Sequence, residues 1–249
     1  MQRFLFFLII ISFFVVISSC KKQTETPGYS LMSDYYPLNV GRTFIYKMDS
    51  TITAPFGASL FTVAFTAKDT IQSTFLDNQG RTSYRVDRFT SDSLQTQPWQ
   101  YKSSYFITPT AIDIEVVDDN NYRFIKLVSP VVEGRTWKGN SYIDTKSANS
   151  PVQYLDDWNY TYQNVNAAYT VLKGTLDSTI TILQQDESLP DSTFNPNNLY
   201  QERNYSIEIY AKGVGLIYKN FLHWVWQTNP QPAFQDGSYG IKLNLISYK

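Results

Sequence analysis

Residues 112–128 read IDIEVVDDNNYRFIKLV. Two runs rich in β-branched and aromatic residues, Ile112–Val117 and Tyr122–Val128, flank Asp118-Asp119-Asn120-Asn121. Asp and Asn tolerate the left-handed backbone that a tight turn needs, so the stretch is a β-hairpin. A hairpin commits its strands to antiparallel pairing.

The same period of two recurs outward from this hairpin. Phe44, Tyr46 and Met48 alternate with Thr43, Lys47 and Asp49, although Ile45 interrupts the polar face. Further strands are expected at Leu60–Ala67, Tyr84–Phe89, Trp158–Gln163, Tyr169–Leu176, Ser178–Leu183, Tyr205–Ala211, Gly215–Val225 and Ile241–Tyr248. Asn78-Gln79-Gly80 closes a second hairpin and Leu176-Asp177-Ser178 a third connection. Helix is confined to short turns, just before Tyr36 or at Asn197–Glu202. Nineteen Tyr, 16 Phe and 5 Trp against 11 Gly fit strands, where bulky side chains pack on a pleated surface. The expected fold is all-β: one antiparallel sheet over residues 35–249, curved into a barrel or half-barrel, with a β-sandwich as the alternative. Gly139–Pro151, Gln184–Asn198 and Gln227–Ser238 carry no period. The last of these contains Phe234, follows two tryptophans and can fold back over apolar surface.

One short pattern appears twice, as PLNVGRTF (37–44) and PVVEGRTW (130–137). Proline fixes φ and lacks an N–H, the glycine can take a positive φ, and Arg-Thr-aromatic then starts a ladder. Both copies read as a strand reached through a bent corner. Duplication of a half-domain and convergent chemistry both account for them.

The chain starts MQRFLFFLIIISFFVVISSC, with Arg3 ahead of an apolar run from Phe4 to Ile17. About fourteen residues fall short of the roughly 20 that cross a hydrocarbon core, so residues 1–19 read as a cleaved export signal. Ile17-Ser18-Ser19-Cys20 resembles the lipobox of bacterial lipoproteins. That resemblance implies lipid on Cys20, the first residue after cleavage, and a lysine rather than an aspartate at Lys21 implies the outer membrane, on its periplasmic or surface side. An exported chain with one cysteine has no internal disulfide partner, which leaves the thiol free for acylation. Residues 20–34 are polar and contain Pro27-Gly28, a tether with an r.m.s. reach of about 20 Å.

Tyr35-Tyr36-Pro37-Leu38, Gly41, Phe44 and Tyr46, then Gly134–Trp137 and Tyr210–Tyr218 (YAKGVGLIY), are similar to the YxPLxxGxxWxY, GxxW and YAxGVGLxY segments of a group of exported bacterial lipoproteins. Some relatives look like half-barrel lipoprotein carriers, in which a curved sheet shelters acyl chains. The resemblance implies an apolar ligand on a concave sheet.

Reactive groups are scarce. Without Arg3 the formal balance is 20 basic against 22 acidic residues, which gives no basic face for nucleic acid. His223 is the only histidine, so His/Cys zinc sites are excluded and any Ser-His-Asp triad hangs on one strand residue. Gly213-Val214-Gly215 lacks the third glycine of a phosphate cradle and reads as a bend between strands. Asp156 and Asp157, beside Trp158 and Tyr160, suit a sugar-binding cleft, but adjacent strand residues face opposite ways and cannot flank one glycosidic bond. The expected protein is noncatalytic, needs no cofactor or metal, and binds a lipid or glycan ligand through Trp158, Tyr160, Trp224, Trp226, Asp156 and Asp157. An envelope protein partner is the alternative. Cells grown with an alkyne-tagged fatty acid should label the wild-type chain, and Cys20→Ser should carry no label and retain the leader on mass analysis.

Overall fold

The computed structural model describes residues 30–249. The leader, Cys20 and the tether before residue 30 lie outside them. Thirteen strands form one antiparallel sheet: β1 (Thr43–Thr53), β2 (Leu60–Leu76), β3 (Thr82–Asp92), β4 (Gln100–Pro109), β5 (Asp113–Val117), β6 (Arg123–Val128), β7 (Thr136–Trp137), β8 (Tyr160–Val171), β9 (Gly174–Leu189), β10 (Tyr200–Ala211), β11 (Gly215–Gln227), β12 (Ala233–Phe234) and β13 (Tyr239–Tyr248). Their order is β6-β5-β4-β3-β2-β1-β13-β11-β10-β9-β8-β7, with β12 paired outside this path to β11. The sheet is therefore two meanders, joined through β1 and β13, that curve until β6 and β7 meet in a nearly closed barrel.

Alternation holds where one face is interior. Phe44, Tyr46 and Met48 of β1 are buried, and so are Leu243 and Leu245 of β13 facing the same core. The 112–128 hairpin pairs Val117 with Arg123, and Asn121 takes φ 65° in its turn. The Asp118 carboxylate closes that turn by accepting from the Asn120 and Tyr122 N–H groups.

Both PxxxGRT copies form the same corner. Gly41 and Gly134 have φ of 90° and 75°. The Arg42 N–H donates to Asn39 O as Arg135 N–H does to Val132 O. Gly41 N–H and Arg42 O then bond Ile71, while Gly134 N–H and Arg135 O bond Tyr162. Each copy thus opens one meander and docks it to the second strand of that meander.

Some boundaries differ from the expectation. Leu176-Asp177-Ser178 does not turn: Ser178 (φ 56°) is a kink inside β9, and the chain reverses at Leu172-Lys173 instead. Asn164 and Asn166, both at positive φ, bend β8 without ending it. Asn and Asp mark left-handed backbone, which serves a bulge as well as a turn. Strand β4 escapes the pattern because it opens on the exposed Gln100, Tyr101 and Lys102, and the 184–189 part of β9 because polar residues fall on both of its faces, Gln184 buried and Asp186 and Glu187 exposed. A short helix, α1 (Met32–Tyr35), precedes Tyr36, so the packed chain starts before residue 35, with Met32 and Tyr35 buried. It sits on the β10–β11 turn, where Gly213 N–H donates to Asp34 O and Arg42 donates to Gly213 O.

The seam between β6 and β7 is closed by side chains as much as by ladder. Ile125 N–H donates to Gly139 O at 2.6 Å, and the Trp137 indole N–H donates to Ile125 O at 2.9 Å. The Tyr162 hydroxyl accepts from Val128 N–H and donates to Val128 O, both at 2.8 Å. Gly139 lies against the Tyr160 ring so closely that a Cβ there would sit 2.1 Å from Cε2. Tyr162→Phe strips both partners from the Val128 backbone and should cost about 2 to 3 kcal/mol, read as a lower urea midpoint with an unchanged slope.

Candidate functional site: the barrel interior

The barrel encloses a cavity of about 440 Å³, within the range of about 300–1,000 Å³ usual for small-molecule sites. Strands supply its floor and walls: Arg88 from β3, Tyr105 from β4, Lys126 from β6, Glu208 and Tyr210 from β10, Lys219 and Phe221 from β11. The lining residues most exposed to solvent lie on connections, among them Asp119, Asn120, Pro151, Gly237 and the strand-end Tyr239. They mark the mouth. Tyr36, just after α1, lines the opposite end, where its ring meets Tyr210 at 5.4 Å.

Two ion clusters occupy the interior. Arg88 holds Asp69 through two hydrogen bonds of 2.7 and 2.6 Å, and the Tyr105 hydroxyl donates to the same carboxylate. Glu208, 2% exposed, accepts on Oε1 from Lys126 at 2.8 Å and lies 3.4 Å from the Lys219 ammonium. Its Oε2 accepts from the Tyr210 hydroxyl at 2.8 Å. Burial works against the Glu208 charge, yet the two ammonium groups outweigh it and hold the carboxyl down at about 2. The Lys219 pKa is lowered too, but there the shift disfavours the charged form: burial lowers its proton affinity against the pull of Glu208. At the mouth, burial raises the Asp118 carboxyl above its ordinary range.

Of the six residues that the sequence grouped as ligand-binding, Trp158 and Tyr160 line the cavity and are 1% exposed each. Trp224 and Trp226 do not line it: they share the face of β11 opposite Lys219, Phe221 and His223. Phe194 and Phe234 cover them there, with ring centroids 5.0 to 5.7 Å away. Both covering residues come from the segments without a period, and the 227–238 segment does fold back over the tryptophans through β12. Asp156 accepts from Thr145 and Asp157 faces solvent beside Lys138, both away from the cavity lining.

Sequence reading passed over Arg88, Lys126, Glu208 and Lys219. Their one signal is parity, since Glu208 is in step with Tyr210 and Lys219 with Phe221. That signal is masked because Ile207 and Ile209 make the other face of β10 apolar as well.

His223 is 7% exposed and stacks on Tyr154, with centroids 3.8 Å apart. Asn204 Nδ2 donates to Glu202, which leaves its Oδ1 to accept from His223 Nδ1–H at 2.7 Å and sets the tautomer. Among the described residues no group of three or more His, Cys, Asp or Glu is placed to hold a metal ion.

No family model matches the chain, and neither does any curated protein. Two solved structures are similar in fold. One is a protein described as exported, with a YmcC-like fold, from Bacteroides fragilis NCTC 9343 (TM-score 0.41, 7% identity, covering 87% of this chain and 99% of that one). The other is described as a lipoprotein of Parabacteroides distasonis ATCC 8503 (TM-score 0.38, 10% identity, 86% and 98%). The functional reading rests on this chain's own geometry.

Burial lowers the His223 pKa from 6.5 to about 4. The folded state thus prefers the neutral ring, and its stability advantage is complete above pH 6.5 and drains away as pH falls toward 4. The loss should reach up to about 3 kcal/mol. Thermal melts from pH 7.5 to 4 should show it, and His223→Gln should flatten that part of the profile.

Proposed function

We propose that this chain is a noncatalytic lipoprotein of the bacterial cell envelope that carries or senses a small ligand inside its barrel. The cavity is the observation behind the reading: side chains can fill a barrel of about eight strands, whereas this twelve-strand path leaves ligand-sized space lined by tyrosine, tryptophan and phenylalanine. Its interior carboxylates, Asp69 and Glu208, are committed to ion pairs, which suits holding a molecule more than turning one over. The sequence around Cys20 supplies the membrane anchor, with the outer membrane as its location.

A second reading, docking of an envelope protein, draws on the loop tips at the mouth end. Phe56, Leu94 and Leu199 are 89%, 81% and 81% exposed on three of the connections there. Crosslinking from these tips in intact cells should trap one dominant partner if that reading holds.

For the ligand reading, the full-length protein purified in mild detergent should release a stoichiometric small molecule on native mass spectrometry or solvent extraction. A clean apo protein, with no thermal shift across a panel of lipids and glycans, would remove the reading.

A further inference from the structure

Several hydrogen-bond donors of the interior have no matched acceptor. Arg88 and Asp69 satisfy each other in a two-bond fork. In the second cluster one carboxylate serves two ammonium groups, and both approach the same oxygen, Oε1 of Glu208. The other oxygen is taken by Tyr210. Lys219 is left with a single partner at 3.4 Å and keeps 28% of its side-chain surface open, on the face of β11 that lines the cavity.

Two neutral donors are also unspent. Gln184 accepts from Ser206 on Oε1, but its Nε2 has no acceptor, and the Trp158 Nε1–H has none either. Both residues line the cavity and are buried, 3% and 1% exposed. Such donors cost free energy when nothing accepts from them, and a half-compensated ammonium costs more. The other carboxylates in the lining are Asp118 and Asp119, at the mouth, and Asp118 is engaged by the N–H groups of its own turn.

We infer that the cavity takes an amphipathic anion, with one acidic group, carboxylate or phosphate, seated on Lys219 and within reach of the free donors. Its apolar body then lies along Tyr154, Trp158, Tyr160 and Phe221 toward the mouth. This rests on the ligand reading and specifies its chemistry. The anion would bring the missing acceptors and the second negative charge; a neutral or cationic guest would leave Lys219 as it is.

The test uses full-length protein in detergent with three chain-matched probes: decanoate, decyl phosphate and decanol. Both acids should bind about ten- to a hundredfold more tightly than the alcohol, as expected for a charge-assisted contact. Lys219→Met should erase that preference while keeping decanol affinity, and Lys219→Gln should do the same. Without ligand, Lys219→Met should melt no lower than wild type, because it removes the surplus charge; a marked loss of stability would make Lys219 a structural partner of Glu208 and overturn the assignment. Equal binding of acid and alcohol by wild type would overturn the anion while sparing the cavity. Preference for one acid over the other identifies carboxylate or phosphate as the headgroup, and failure of all three probes to bind would sink the ligand reading together with this one.

Discussion

One carboxylate, Glu208 of β10, meets one ammonium from the strand beside it and another from across the barrel. Lys219 is its direct cross-strand partner on β11, whereas Lys126 reaches it from β6 at the edge of the sheet. A buried ion pair contributes little net stability, but breaking the close Lys126–Glu208 pair by removing either partner would leave a buried charge uncompensated and cost several kcal/mol. The cluster therefore ties the free edge to the opposite wall. It also keeps water-seeking groups in the centre of the barrel, which prevents an apolar collapse that would fill the space.

The seam follows the same logic. A sheet that ends on β6 and on the two-residue β7 has no long ladder with which to close. Trp137, Tyr162 and the Gly139 carbonyl supply the missing bonds to Ile125 and Val128. Closure by side chains tolerates the short β5–β6 hairpin, and the turn of that hairpin forms one border of the mouth. At the other end Tyr36 lines the cavity just after α1, and Asp34 and Arg42 hold the β10–β11 turn.

Two aromatic populations lie on opposite faces of β11. Tyr154, Trp158, Tyr160 and Phe221 meet around the cavity, where ring faces can pack on a guest. Trp224 and Trp226 meet the stacked Phe194 and Phe234 edge to face on the outer side of β11 and stabilise the 190–199 and 228–238 connections. Trp224 and His223 are adjacent in sequence yet belong to different populations, because successive side chains of a strand leave on opposite faces.

By itself the sequence determined most of the strands, though not β4, together with the 112–128 hairpin and the two glycine corners at Gly41 and Gly134, since turn chemistry and a period of two are local properties. It also carries a stretch, Ile17–Cys20, that resembles a lipobox. Only the tertiary structure decided which face of each strand looks inward, that β1 pairs with β13 and that β6 reaches β7. Those contacts join residues far apart in the chain, and several strands are apolar on both faces, so no local pattern separates inside from outside. The meeting of Lys126, Glu208 and Lys219 depends on that closure, and with it the chemistry of the cavity.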